Sequence, residues 1–260
     1  MRFSRWIVVC SIATCTGLTG AFPAPSRAAE AEELTVAAAA DLIFAFKEIG
    51  HQFEDSTGCK LIFSFGSTGT LALQISNGAP FDVFAAANVR FIENLKAKGL
   101  IIEDSQQLYA QGRIVIGISK KAGVVAGSIK DLQNPAFQKI AIANPDHAPY
   151  GLAAKQAMQA TNLWDAVRSR IVYGENIRQT MQFIQTGNAD AGIVALSVAN
   201  VPEITYAIIP DSLHAPLYQA LAIVKTTRHE RLARQFIEYL NGPHGRPIMK
   251  KYGFLLPGEF

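Results

Sequence analysis

Along this chain, short apolar runs alternate with segments whose apolar residues return every three or four positions. Residues 34–39 (Leu-Thr-Val-Ala-Ala-Ala) have the length and composition of a buried strand. Leu42, Phe46, Ile49 and Phe53 then mark one face of a helix that Gly58 ends. Residues 61–65 predict a second strand, Leu71 and Ile75 a short helix closed by Gly78, and residues 81–85 a third strand. A helix carrying Phe91, Ile92 and Leu95 runs to Gly99. The second half repeats the alternation. Residues 114–118, 140–143, 171–173, 191–196, 205–209 and 220–224 read as strands. Residues 152–163 and the stripe Ile177, Met181, Ile184 up to Gly187 read as helices, and Leu232, Phe236 and Leu240 begin a terminal helical region.

Strands alternating with helices imply α/β layers with largely parallel sheets. About nine strands exceed one small sheet, so the pattern favours two lobes. The expected passages between them lie near 109–113 and 224–228. Lobe I is then 30–110 plus 226–260, and lobe II is 111–225.

The first 28 residues differ from the rest. Arg2 and Arg5 precede a mostly apolar stretch, 6–22, and Ser26-Arg27-Ala28 supplies small residues at the two positions a signal peptidase reads. Ser11, Thr14, Thr16, Gly17 and Gly20 interrupt a run already short for a membrane span. The expectation is a signal peptide, 1–28, cleaved near Ala28, and a periplasmic mature protein. Acylation at Cys15 fits poorly, because Thr14 precedes it and apolar residues continue beyond it. Cleavage removes Cys10 and Cys15, and the remaining Cys59 can form neither an internal disulfide nor a cysteine zinc site.

Composition adds exclusions. With 49% hydrophobic and 17% charged residues, collagen-like, coiled-coil and disordered classes fall away. The net charge of +3 comes from Arg2, Arg5 and Arg27; taking these from 24 basic residues leaves 21, equal to the 21 acidic ones. A balanced mature chain gives no reason to expect a nucleic-acid partner.

No Gly-x-Ser-x-Gly, His-Glu-x-x-His, Walker or Gly-x-Gly-x-x-Gly motif occurs. The five histidines (His51, His147, His214, His229, His244) are scattered and read as surface or loop residues. Glu175 and Asp190 have no partner in the sequence that would make them an acid–base pair. An enzyme is therefore not expected, nor a cofactor or a directly coordinated metal.

What does stand out is a set of helix starts, each directly after a strand: Ala38-Ala39-Ala40-Asp41-Leu42, Phe65-Gly66-Ser67-Thr68-Gly69-Thr70, residues 144–151 ending Pro149-Tyr150-Gly151, and Glu175-Asn176-Ile177-Arg178. Pro149 suits a first helical turn and Asn176 an N-cap. Such termini present free N–H groups and about half a positive charge. In open α/β sheets they gather where ligands bind, and four facing one point would hold an anion without lysine or arginine. Taken singly, each is simply a capped helix start.

Together, and in this order, these segments resemble the periplasmic molybdate-binding proteins of ABC importers. Val36-Ala37-Ala38-Ala39-Ala40-Asp41-Leu42, Phe65-Gly66-Ser67-Thr68-Gly69 and Gly78-Ala79-Pro80-Phe81-Asp82-Val83-Phe84 carry the likeness. So do Asn144-Pro145 with Pro149-Tyr150-Gly151, Gly192-Ile193-Val194-Ala195-Leu196-Ser197, and Lys251-Tyr252-Gly253-Phe254. The resemblance implies an α/β type II periplasmic-binding fold, two lobes with mixed sheets closing a cleft on a tetrahedral oxyanion. The ligand would be molybdate or tungstate, the partner an inner-membrane ABC permease, and the protein a monomer. The resemblance maps the oxyanion site onto Ala40, Asp41, Ser67, Thr68, Tyr150 and Ile177. Ala40 and Asp41 lack the neutral side-chain donor the family uses there, leaving backbone N–H groups to serve. Some members carry a tyrosine in the late Gly-Ile-Val motif; here it is Ala195, which leaves Tyr150 as the aromatic contributor.

Asp41 admits two readings. It can cap its own helix by accepting from the N–H of Ile43 or Phe44, which the apolar stripe following it favours. It can instead face the anion, which would favour a protonated oxyanion such as hydrogen phosphate. Phosphate or sulfate is accordingly the alternative ligand, and an exported enzyme on an α/β fold the alternative class.

Overall fold

The computed structural model describes residues 32–260; the expected signal peptide lies outside them. The chain opens with strand β1 (Glu33–Ala39), a single 3₁₀ turn at Ala40–Leu42, and helix α1 (Ile43–Thr57). Gly58 ends α1 in the left-handed region (φ 69°), the conformation for which glycine carries no Cβ penalty. Strand β2 (Lys60–Gly66), helix α2 (Thr68–Ser76), strand β3 (Val83–Ala86), helix α3 (Val89–Ala97) and strand β4 (Gln107–Gly112) follow. Next come β5 (Ile114–Ser119), β6 (Ile140–Ala143), α4 (Pro149–Ala160), the short α5 (Trp164–Val167), β7 (Ile171–Gly174) and α6 (Ile177–Thr186). Strand β8 (Ala191–Ala195), the one-turn α7 (Leu196–Ala199), β9 (Ile204–Ile208) and β10 (Leu217–Ile223) precede α8 (Glu230–Asn241) and α9 (Gly245–Lys251).

Two five-stranded sheets result, ordered β2-β1-β3-β10-β4 and β7-β6-β8-β5-β9. In each, three parallel strands are followed by one that runs antiparallel to both its neighbours, β10 in the first and β5 in the second. The sheets are thus mixed rather than largely parallel. The edge strand of each lobe leads directly into that antiparallel strand of the other: β4 passes through Arg113 into β5, and β9 passes through 209–216 into β10.

This corrects the second lobe boundary. The expected return at 224–228 lies beyond β10, whereas the chain has already returned before it. Residues 217–225 therefore belong with the first lobe. The reason is physical: an apolar run such as Ala220-Leu221-Ala222-Ile223 satisfies any interior sheet position, so its composition does not say which sheet it enters. Strand β4 was likewise legible only as a strand-like passage.

Each sheet is buried under helices. The first lobe packs α1 and α8 on one side, where Phe46, Phe53 and Phe236 meet with ring centroids 5.5–5.9 Å apart in edge-to-face geometry. Burying each such ring contributes about 1.5–3 kcal/mol, and edge-to-face pairing adds about 0.5–1.5 kcal/mol. The C-terminal segment returns to this lobe as Leu255 exchanges backbone hydrogen bonds with Gln111 on β4.

Candidate functional site

The turns and helices that follow β1, β2, β6 and β7 start around one point. A small cavity of about 10 Å³ lies there, roughly the space one water molecule needs. Ala40, Asp41, Ser67, Thr68, Tyr150 and Ile177 all line it, with Ala39, Gly66, Ala87, Ala148 and Pro149 between them. Those six residues, spread over 137 positions of sequence between Ala40 and Ile177, are each buried to within 5% of full enclosure. No lysine, arginine or histidine lines the cavity among the described residues.

The donors are readable one terminus at a time. Ser67 caps α2, its Oγ accepting from the Thr70 N–H at 3.3 Å. That leaves the N–H of Thr68, at the first helical position, without an intrahelical acceptor. The Thr68 hydroxyl accepts from the Ala87 N–H at 3.1 Å, so its own proton remains to be donated. At α4 the N-cap is Ala148, which has no side-chain acceptor, and Pro149 occupies the first turn; Tyr150 and Gly151 then present N–H groups. At α6 the Asn176 carboxamide accepts from Arg178 and Gln179, which leaves the N–H of Ile177. The 3₁₀ turn before α1 starts from Ala39, with no side-chain cap, so the N–H groups of Ala40 and Asp41 have no intrahelical acceptor, and both residues line the same cavity.

Asp41 departs from the capping expectation. Its side chain makes no cap bond; Oδ2 instead accepts from the Tyr150 hydroxyl at 2.9 Å and from Gln219 Nε2 at 2.8 Å. A donor pair from β10 and from the opposite lobe outcompetes the local backbone because those donors approach in the buried interior, where a charged acceptor gains most from them. Gln219 also donates to the Tyr150 oxygen at 2.9 Å, closing a triangle of three side chains. Burial pushes the Asp41 carboxyl up to about 6, against the lowering effect of Gln219 and Tyr150. Burial and the Asp41 charge together push the Tyr150 phenol well above its ordinary range. Gly112 makes room for this triangle, since a Cβ there would fall onto the Tyr150 hydroxyl and within 2.8 Å of Gln219 Nε2.

Four residues outside the site mapped from the sequence hold the lobes together here. His147 reaches over from the second lobe: Nδ1 lies 2.8 Å from Ser67 Oγ and its carbonyl accepts from the Gly69 N–H at 2.9 Å. Glu175 extends this clasp, accepting from Thr70 Oγ1 at 3.2 Å with His147 Nε2 3.7 Å away. Ser197, on α7, donates to the Asp41 carbonyl at 2.8 Å. Gln219 is the fourth, through the triangle already described. None carries a local signature, because each acts on a residue 80 or more positions away.

The cavity thus brings helix-start N–H groups and the Thr68 hydroxyl together with apolar side chains and the Asp41 carboxyl, with no lysine, arginine or histidine among the described residues that line it. The description of the bacterial extracellular solute-binding protein family matches residues 34–255, nearly all of the described chain.

The chain belongs to that family.

Within these solute-binding proteins, the molybdate-binding protein ModA of Azotobacter vinelandii is 40% identical over 231 residues, covering 87% of this chain and 91% of its own. The Rhodobacter capsulatus ModA is 32% identical over 229 residues, covering 87% and 90%. Among solved structures, the Azotobacter vinelandii periplasmic molybdate-binding protein superposes with a TM-score of 0.81 at 33% identity, covering 86% of this chain and 99% of that one. The two-sheet α/β architecture is shared with that protein.

Proposed function

We propose that this protein captures molybdate, and tungstate as its close analogue, in the periplasm and delivers it to an ABC permease of the inner membrane. The observation that carries this reading is the convergence of four helix starts on one buried cavity that no cation lines. Burying a dianion is costly unless each oxygen accepts hydrogen bonds. Backbone N–H groups and the Thr68 hydroxyl supply such bonds, and their neutrality lets the complex reopen for release. Likeness to two molybdate-binding relatives supports the choice of ion. No cofactor enters this reading: the oxyanion is cargo, and the protein binds it as a monomer without chemistry.

Hydrogen phosphate is the alternative, favoured by the Asp41 carboxyl in the cavity wall, which could accept the proton that anion carries. Calorimetry with molybdate, tungstate, sulfate and phosphate at equal concentration decides between them. The expected result is tight molybdate and tungstate binding with weak or undetectable phosphate; strong phosphate binding and no molybdate heat would reverse the assignment. Intact-mass measurement on a periplasmic extract tests export, with a chain starting near Ala29 expected and a chain retaining 1–28 or acylated at Cys15 contradicting it.

A further inference from the structure

Asp41 is a carboxyl in the wall of a cavity otherwise lined by donors and apolar groups. It is 1% exposed, and its two oxygens are treated unequally. Oδ2 accepts both side-chain bonds, from Tyr150 and Gln219, while Oδ1 is buried with no partner among the described residues. Helix α6 and strand β2 pack against the turn that carries it, and they bring the uncharged Ile177 and Gly66 to the cavity. Helix α4 brings Tyr150 and β4 brings Tyr109, whose hydroxyl donates to the Ala86 carbonyl at 3.2 Å. Strand β10 brings the uncharged Gln219, and α7 brings Ser197, which is engaged with the Asp41 carbonyl. The titratable groups facing the carboxyl are thus two phenols, and no basic side chain offsets its charge.

An ionised carboxylate here would stand beside a bound dianion in a poorly screened interior, where like charges repel strongly. A protonated one would turn its idle oxygen into a hydroxyl donor, the one kind of group the rest of the cavity offers. We infer that Asp41 is a proton-carrying ligand of the oxyanion: it takes a proton from solvent as the anion binds and donates it, from Oδ1, in a hydrogen bond to an anion oxygen. Proton and anion enter together and leave together, so no other group need change its charge. The ordinary effect of burial already moves this acid toward neutral pH before any anion is present. Gln219 and Tyr150 occupy Oδ2 and thereby leave Oδ1 as the oxygen that carries the proton. Asp41 in this state selects an anion that has no proton of its own, which is the distinction between molybdate and hydrogen phosphate at neutral pH.

This inference rests on the oxyanion reading of the cavity. It is tested by titrating the full mature protein with sodium molybdate in two buffers of different ionisation enthalpy, from pH 6 to pH 8.5. The expected result is a buffer-dependent heat that corresponds to uptake approaching one proton per anion. The dissociation constant should also rise by up to about tenfold per pH unit at the alkaline end, the slope of a single linked proton. Asp41→Asn should bind molybdate with neither the proton uptake nor the slope. Tyr150→Phe, which takes a donor from the charged carboxylate, should keep the uptake and move the onset of weakening to higher pH; this second variant answers the question even if Asp41→Asn does not fold. Molybdate binding by the parent with buffer-independent heat and a flat pH profile would overturn the inference while leaving the molybdate assignment standing. No molybdate heat at any pH would overturn both.

Discussion

The Tyr150 hydroxyl donates to Asp41 Oδ2 across 2.9 Å, and this bond joins the start of α4 in one lobe to the turn before α1 in the other. The phenol proton is thereby committed to the protein. What Tyr150 offers the cavity is its backbone N–H, at the second position of a helix whose first residue is proline.

Tyr150→Phe should therefore leave molybdate affinity within a few-fold at pH 6 while lowering stability. The lost bond is charge-assisted when Asp41 is ionised, so the cost should be about 1.5–3 kcal/mol at pH 8. It should be smaller at pH 4.5, where the acid is neutral. Urea unfolding at the two pH values measures the difference; an equal cost at both would mean that the bond does not depend on the Asp41 charge.

Asp41 also predicts a pH dependence of folding. Its carboxyl is raised from 3.8 to about 6 by burial, so the folded state holds this proton more tightly than the unfolded chain. The stabilisation is fully present below the unfolded value near 3.8, falls as pH rises, and is gone above about 6. A shift of this size corresponds to roughly 3 kcal/mol. The stability of Asp41→Asn relative to the parent should accordingly improve by about that amount between pH 4 and pH 7, read from paired denaturant titrations. A parent-minus-variant difference that does not change with pH contradicts the assignment.

Thr68 is the one side-chain hydroxyl of the cavity whose proton is uncommitted, since its oxygen serves the Ala87 N–H and Ser67 is engaged with Thr70 and His147. Thr68→Val should weaken molybdate binding by about ten- to a hundredfold, the equivalent of roughly 1.5–3 kcal/mol for a bond to a charged group. Thr68→Ser should restore most of it. Parent-like affinity in the valine variant would show that the hydroxyl serves Ala87 alone.

The clasp of His147 on Ser67 acts on closure rather than on the anion. His147→Ala removes the ring but keeps the carbonyl that takes the Gly69 N–H. A hydrogen bond of this kind contributes about 0.5–1.5 kcal/mol. Stopped-flow displacement should therefore show molybdate leaving about two- to tenfold faster, with the association rate little changed. An unchanged dissociation rate would mean that the closed state does not depend on the ring.

Gly112 sits under the Asp41–Tyr150–Gln219 triangle. Gly112→Ala should destabilise the fold by about 1–3 kcal/mol through overpacking, and Tyr150→Phe in the same chain should recover part of that loss by removing the oxygen the new methyl meets. Thermal unfolding of the single and double variants checks this; strict additivity would show that the methyl and the hydroxyl do not compete for space.

Much of this protein was present in the order of its residues. The strand-then-helix alternation, the glycine that ends α1, the Ser67 and Asn176 caps and the proline at the start of α4 are local: each follows from side chains within four or five positions of the backbone they act on. Local rules also placed helix starts at the ends of strands, which is why all six residues named from the sequence come to one cavity. Three things needed the folded chain. The sheet that receives β10 is a choice between two apolar interiors that look alike from the strand's own composition, and only the partners β3 and β4 decide it. The Asp41 side chain had a good local acceptor role as a cap, and it was drawn away by Tyr150 and Gln219, which lie 109 and 178 residues further on. His147 meets Ser67 over a separation of 80 residues. Capping is short-range and survives in any fold that contains the helix, whereas a buried carboxyl goes to whichever donors the packing of two lobes brings within 3 Å, and no stretch of sequence around Asp41 contains them.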